Sequence, residues 1–259
     1  MSKKMIIASH KGGVNKSTIA ANLGLGFAND NQKVLMIDTD SQANLSKKYL
    51  KDDYRKVNGI YELLKGEDVN NCIHHTDYDG LDIIPAKQQL SVAKKEMLLS
   101  MHGIQQQRLM RSLTPVIDKY DLLIFDTAPG LDIMTFNVLQ FLDGTGLLII
   151  PVVPDSNKIE DSDSIEGMNL LLEEISESIK AGENIKPRFK VLLTEVDNDE
   201  VSNEFKLITK SHFKEKAFIT EIPFSAKHAR RRDNFVIEKN RTKISRCYKQ
   251  LVDEIKEEL

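Results

Sequence analysis

Eight residues near the start of the chain, Lys11-Gly12-Gly13-Val14-Asn15-Lys16-Ser17-Thr18, constrain the architecture more than any other stretch. They lie between a short apolar run, Met5-Ile6-Ile7-Ala8, and a longer one, Ile19-Ala20-Ala21-Asn22-Leu23-Gly24-Leu25-Gly26-Phe27. The first has the length of a buried strand, and the second suits a helix packed on a sheet. A strand that ends in a glycine-rich turn and then starts a helix aims several backbone N–H groups at one point. The helix dipole adds positive potential there, so the turn is a seat for phosphate. Lys16 is spaced to reach the β- and γ-phosphates of a nucleotide, and Ser17 to hold Mg²⁺. A glycine-rich hairpin with an incidental lysine would lack this strand-and-helix setting.

The usual loop pattern, G-x-x-x-x-G-K-[ST], is met only in part. His10 stands where the first glycine would be and Asn15 where the last would be. Asn15 falls where a left-handed backbone is expected, and among non-glycine residues Asn tolerates that conformation best. The extra lysine that opens the loop, Lys11, is the signature of the deviant Walker A motif, K-G-G-x-G-K-[ST]. By it the chain resembles the ParA/MinD class of P-loop ATPases, closest to the ParA/Soj partitioning ATPases. That class also commonly lacks the first glycine. The resemblance implies ATP and Mg²⁺ as cofactors, bound through residues 11–18. It also implies an ATP-dependent homodimer in which Lys11 reaches the partner's phosphates.

Two further strand ends carry carboxylates. In Val34-Leu35-Met36-Ile37-Asp38-Thr39-Asp40-Ser41-Gln42-Ala43-Asn44, a strand ends at Asp38 and Asp40 sits just beyond it. A carboxylate there can orient or deprotonate a water aimed at a γ-phosphate. The stretch resembles the ParA pattern D-x-D-P-Q-x-N with Ser41 in place of Pro, which implies Asp40 as the hydrolytic aspartate and Asp38 as support for the Mg²⁺ shell. In Tyr120-Asp121-Leu122-Leu123-Ile124-Phe125-Asp126, four apolar residues then Asp126 have the Walker B form, a buried strand delivering a carboxylate to the metal. Later in the chain, the resemblance puts Pro223 and Ser225 near the adenine. There the family's Arg-Asn is Phe224-Ser225, and its D-x-R-T is diluted to Asp197-Asn198-Asp199-Glu200, so an arginine that some members use for DNA is missing.

Near-continuous apolar runs mark strands at 4–9, 33–38, 81–85, 122–126, 146–153, 189–194 and 218–222, with helical stretches such as 88–99, 105–119 and 159–180 between them. Continuous rather than alternating runs are those of parallel strands covered on both faces. The fold class is therefore α/β: a single, doubly wound, mostly parallel sheet flanked by helices, in one ATPase domain over residues 1–259. The last helix carries an apolar stripe, Ile244, Tyr248, Leu251 and Ile255, that suits docking on the core. Its end, 253–258, is acidic, whereas an interfacial membrane helix is basic on its polar face. No run approaches the ~18 apolar residues of a membrane span. The two cysteines, Cys72 and Cys247, form no pairing or zinc motif, as suits a reducing cytoplasm. The six histidines, His74-His75 included, have no metal spacing, and Met97, Leu98 and Met101 read as core.

The net charge of −3 hides an asymmetry. Residues 205–249 hold 13 Lys/Arg against 4 Asp/Glu, a local +9, while 155–204 hold 14 acids and 5 bases. Such a basic segment is a candidate footprint for a polyanion, although solvated helix faces would also carry scattered lysines. Lys206, Lys210 and Lys214 recur at i, i+4, i+8 on a helix with Val201, Phe205 and Ile208 opposite, and Arg230, Arg231 and Arg232 follow in a loop. Few aromatics are interleaved, which favours phosphate contacts on double-stranded DNA without sequence preference. Together with the resemblance, this gives an ATP-dependent DNA partitioning ATPase. It would be cytoplasmic and nucleoid-associated, with weak basal hydrolysis stimulated by a centromere-binding, ParB-like protein. The alternative is a class relative that positions a protein cargo or acts as a regulatory scaffold. The basic segment favours the first and the lost arginine the second. An amidoligase or an iron–sulfur reductase on the same fold is disfavoured, because Cys72 and Cys247 supply no cluster cysteines near the Walker B strand.

Overall fold

The loop-bearing strand lies inside the sheet, with neighbours on both sides. A computed structural model describes residues 2–99, 107–158, 160–224, 235, 237 and 242–259, and the structural statements below concern these residues. The strands are β1 Lys3–Ile7, β2 Val34–Asp38, β3 His74–His75, β4 Leu81–Ile84, β5 Leu122–Asp126, β6 Gly146–Val152, β7 Phe189–Val196 and β8 Ile222–Pro223. They form an eight-stranded sheet in the order β3-β4-β2-β5-β1-β6-β7-β8. All pairings are parallel except β3 with β4. The helices are α1 Lys16–Asn29, α2 Asn44–Leu50, α3 Ile60–Leu64, α4 Val69–Cys72, α5 Leu90–Leu99, α6 Arg108–Leu113, α7 Ile133–Leu139, α8 Asp163–Lys180, α9 Glu200–Phe213 and α10 Lys243–Glu258.

Successive residues of a strand face opposite sides, so each central strand feeds two cores. Ile6, Leu35, Ile37, Leu123 and Phe125 pack under α3 to α9. Met5, Ile7, Val34, Met36, Leu122 and Ile124 pack under α1, α2 and α10. Burial on both faces is the physical reason that these strands are near-continuously apolar between their ends. Helix α1 sits unusually close to its neighbours. A Cβ at Gly24 would collide with the Met36 sulfur, and one at Gly26 would lie 2.6 Å from Val252. The stripe of α10 docks on this side as its periodicity implies, with Tyr248, Leu251 and Ile255 fully buried.

Several elements differ from the sequence expectation. Strand β3 is two residues of an antiparallel edge with no apolar run to announce it. The segment 218–222 is not one strand: Phe218 N–H donates to Val191 O at 3.0 Å, and regular pairing with β7 starts only at Ile222. The helix over 105–119 is shorter, because Pro115 has no N–H to continue the ladder, and a 3₁₀ turn at Ile117–Lys119 follows α6. Helix α8 starts at Asp163, where the Ser162 hydroxyl caps it by accepting from Ile165 N–H. Met97 is core, but Leu98 is exposed, since it lies on the other side of α5; Met101 is outside the described residues.

Candidate functional site

Sheet register assembles the site. Asp126 at the end of β5 is level with Ile7 of β1 on one side and Asp38 of β2 on the other. The loop leaves β1 at that level and turns into α1. It turns through Gly13 (φ 83°) and Asn15 (φ 62°, ψ 22°), so Asn15 does adopt the left-handed conformation expected of it. The carbonyl of Asn15 accepts from Thr18 and Ile19 N–H, which closes the first helical turn. No acidic residue stands in that turn, so the positive end of α1 is uncompensated by its own sequence. The loop, Asp40, Thr127 and Glu195 line a cavity of about 440 Å³.

Lys16 is buried, and its Nζ donates to the carbonyls of Lys11 at 3.2 Å and Ser9 at 3.4 Å. Burial pulls its ammonium below the ordinary lysine value, against the opposing pull of Asp126 and Asp40. Asp126 is fully buried, and neither carboxylate oxygen has a hydrogen-bond partner of good geometry. Burial first, and then the charge of Asp38, push it well above the usual carboxylate range, with Ser17 and Lys16 easing the other way. Two threonines fix the strand ends around it: Thr39 Oγ1 donates to Asp126 O at 2.8 Å and Thr127 Oγ1 to Ile7 O at 3.0 Å.

Asp38 and Asp40 are used differently. Asp38 Oδ1 accepts from Asp40 N–H, and its Oδ2 accepts from both the N–H and the hydroxyl of Ser46. Burial raises its pKa to about 6 despite these bonds. Its carboxylate is committed to the start of α2 and to the Asp40 backbone, and does not line the cavity. Asp40 does line it, with Oδ1 accepting from Gln42 N–H. Lys11 is held within the chain: its Nζ lies 2.5 Å from Asp155 Oδ2 and 3.7 Å from Asp163.

The base-side and DNA-side expectations fare less evenly. Pro223 stands in β8 opposite Val196, one residue from Glu195, and lines a separate groove rather than the loop cavity. Ser225 and the run Arg230, Arg231, Arg232 lie outside the described residues. The lysine stripe needs correction. Lys206 and Lys210 both pair with Glu221, at 3.2 and 2.5 Å, and Lys210 also donates to Ile219 O. Lys214 is off the helix, in a 3₁₀ turn with φ 47°. The face that α9 buries is Ser202, Phe205 and Thr209, while Val201 and Ile208 are exposed. An acid brought in from a loop position, invisible to helical spacing, is shared by the first two lysines and halves their charge.

Comparison with known proteins places this arrangement. The family model described as AAA domain (AAA_31) matches residues 2–191. The sporulation initiation inhibitor protein Soj of Bacillus subtilis (strain 168) is 30% identical over 225 residues, spanning 86% of this chain and 85% of Soj. The chain belongs to the AAA-domain family of Soj/ParA-type P-loop ATPases. The chromosome-partitioning ATPase Soj of Thermus thermophilus is 29% identical over 223 residues, covering 85% and 81% of the two chains. Two solved structures share the fold. One is a putative plasmid partition protein from Borrelia burgdorferi B31 bound to AMPPNP (TM-score 0.79, 24% identity, 100% and 99% coverage). The other is cobyrinic acid a,c-diamide synthase from Mycobacterium smegmatis with ADP and magnesium (TM-score 0.78, 22% identity, 98% and 93% coverage).

Asp155 and Glu195 are among the site residues of this ParA-type chain that the sequence analysis does not single out. Asp155 follows β6 as Asp40 follows β2, so the same strand-end logic could have singled it out. Glu195 gave no signal: its Oε1 accepts from Asn15 Nδ2 at 2.7 Å, from a position 180 residues away.

Proposed function

We propose that the protein is an ATP-dependent DNA partitioning ATPase. It takes up Mg·ATP, dimerises, binds duplex DNA without sequence preference and releases it after hydrolysis. The observation that carries this reading is the carboxylate of Asp126, fully buried beside Lys16 and Ser17 with no hydrogen bond of good geometry, under the open end of α1. A buried, poorly satisfied carboxylate is costly unless a cation meets it. With Ser17 it would hold Mg²⁺, which supplies charge neutralisation to the phosphates. The loop N–H groups of Gly12 to Ser17 and the Lys16 ammonium cradle those phosphates, and Asp40 at the cavity wall orients the attacking water. Lys11 reaches a partner's phosphates only by leaving Asp155, so dimerisation and that ion pair compete. Basal hydrolysis is slow, and a ParB-like, centromere-binding protein accelerates it. The place of action is the nucleoid in the cytoplasm.

With Lys206 and Lys210 sharing the carboxylate of Glu221, most of the remaining basic residues of the segment lie beyond position 224 in the sequence, Arg230, Arg231 and Arg232 among them. A gel shift on non-specific duplex with ATP, ADP or no nucleotide tests the reading. Retardation only with ATP supports it. No retardation in any state favours the second reading, a ParA-class ATPase that positions a protein cargo or acts as a scaffold, for which the Glu221 pairs are the specific support.

A further inference from the structure

We propose that Glu195 is a positioning residue for the phosphate loop, a role that compensates for asparagine at the loop's last glycine position. The inference rests on the reading of that loop as the ATP seat and adds a member to it from the far side of the sheet. Asn15 carries a Cβ at φ 62°, a conformation that glycine adopts freely and other residues adopt only when their surroundings hold them there. Its side chain makes no cap bond to α1. Instead the Asn15 amide donates to Glu195 Oε1 at 2.7 Å.

Glu195 is itself unusual. Its φ is 56°, and it sits where the register of β7 against β8 breaks, between the pairs Thr194–Ile222 and Val196–Pro223. Such a bulge adds a residue to one strand and re-aims its side chain, which here brings a carboxylate to the cavity wall beside the loop. Two residues in left-handed backbone are thus tied to each other by one hydrogen bond with an ionised acceptor, the stronger kind. The location makes a purely electrostatic role unfavourable. A carboxylate lining a triphosphate cavity repels its ligand, so its presence counts against ATP unless it holds something ATP needs. What it holds is the residue immediately before Lys16, whose carbonyl starts α1.

The two effects have opposite signs, and calorimetry of Mg·ATP binding to the full chain separates them. Glu195→Ala removes both the repulsion and the lock; the proposal expects ATP affinity to fall about tenfold, which corresponds to about 1.4 kcal/mol. Glu195→Gln removes the repulsion and keeps an acceptor for Asn15, so it binds ATP at least as tightly as the parent. Glu195→Met, of similar length without a carbonyl acceptor, behaves like Glu195→Ala and controls for truncation. In Asn15→Gly the loop needs no lock, and adding Glu195→Ala there costs no further affinity. The proposal is overturned if Glu195→Ala binds ATP as tightly as the parent or tighter, or if it weakens binding by the same factor with Asn15 and with Gly at position 15. It is overturned equally if Glu195→Gln fails to rescue. Lys16→Ala is the control for the underlying reading: parent-like affinity in that variant would remove the phosphate seat itself, and the proposal with it.

Discussion

Carboxylates are brought to the site from both sides of β1 by opposite devices. On the β2–β5 side they come by regular register: Asp38 and Asp126 are level with Ile7 across three parallel strands that each end there, and Asp40, two residues past the end of β2, lines the cavity. On the β7–β8 side Glu195 comes by a break in register, at a residue with positive φ. The first device is rigid, since it is built from fully buried strands and its acids cannot move without moving the sheet. The second depends on one hydrogen bond to Asn15 at the sheet's thinner flank. The regular side can hold chemistry that tolerates little displacement, such as a metal ligand or a water-orienting acid. The irregular side is suited to adjusting the loop.

The sharpest break in this comparison would come from Lys16. Lys16→Ala is expected to weaken ATP binding by about 10- to 150-fold, because it removes a charged donor worth about 1.5–3 kcal/mol. Calorimetry reads this directly, and unchanged affinity would show that the register-built side is not a phosphate site. Asp40→Ala comes next. It should leave ATP binding intact and slow hydrolysis by about 10²–10⁴-fold, the usual scale for a general acid–base group. Sedimentation in ATP would then show a persistent dimer. Hydrolysis at the parent rate would remove Asp40 from the water-positioning role.

How much of this could be seen before the fold was in hand follows the same division. The loop, Asp40 and Asp126 were readable because each is a strand end, and a strand end is a local pattern: an apolar run followed by a polar residue at fixed spacing. Asp38 reads, by the resemblance, as support for the Mg²⁺ shell. Its bonds to Ser46 were not readable, since they depend on where α2 starts. Glu195 lies one residue past a buried strand centre, and only the β7–β8 mismatch aims it inward. Glu221 leaves no such signal, because periodicity along α9 says nothing about a loop acid that folds back across it. The short edge strand β3 is silent for a related reason: two histidines paired at a sheet edge bury too little to leave an apolar signature.

A stability measurement sharpens the rigid half of the comparison. Asp126 pays a desolvation cost for a ligand that the ligand-free chain does not have. Asp126→Asn removes the buried charge next to Asp38 and should therefore raise the thermal midpoint of the ligand-free protein at pH 7 by roughly 2–12 °C, from about 1–3 kcal/mol at about 2–4 °C per kcal/mol. The same variant should lose the part of the ATP-induced stabilisation that depends on Mg²⁺. The pH dependence has a definite sign. Asp38 moves from 3.8 to about 6 on folding and Asp126 moves in the same direction, so the folded chain holds these protons more tightly than the unfolded one. The Asp38 contribution is most favourable below about pH 4 and is lost as the pH rises through about 6; that of Asp126 has the same sign. A midpoint that falls in Asp126→Asn would mean that the carboxylate is satisfied in solution.

The smallest effect tests the flank farthest from the regular strands. If Glu221 neutralises Lys206 and Lys210 in the DNA-bound state as in the free chain, replacing both lysines with Ala should change DNA affinity by less than about threefold. The salt slope should stay nearly constant, because each phosphate no longer neutralised would reduce its magnitude by about 0.9. Arg230→Glu, Arg231→Glu and Arg232→Glu together should weaken binding on all sequences alike and flatten the slope, with ATP turnover in the absence of DNA nearly intact. Glu221→Gln should then do the reverse of the arginine variant, freeing two lysines for the polyanion and steepening the slope by up to about 1.8. A flatter slope in the double lysine variant would mean that DNA pulls Lys206 and Lys210 away from Glu221, and that α9 belongs to the footprint after all. Filter binding across a salt series distinguishes the two outcomes, since the slope reports how many phosphates are engaged while affinity at one salt concentration does not.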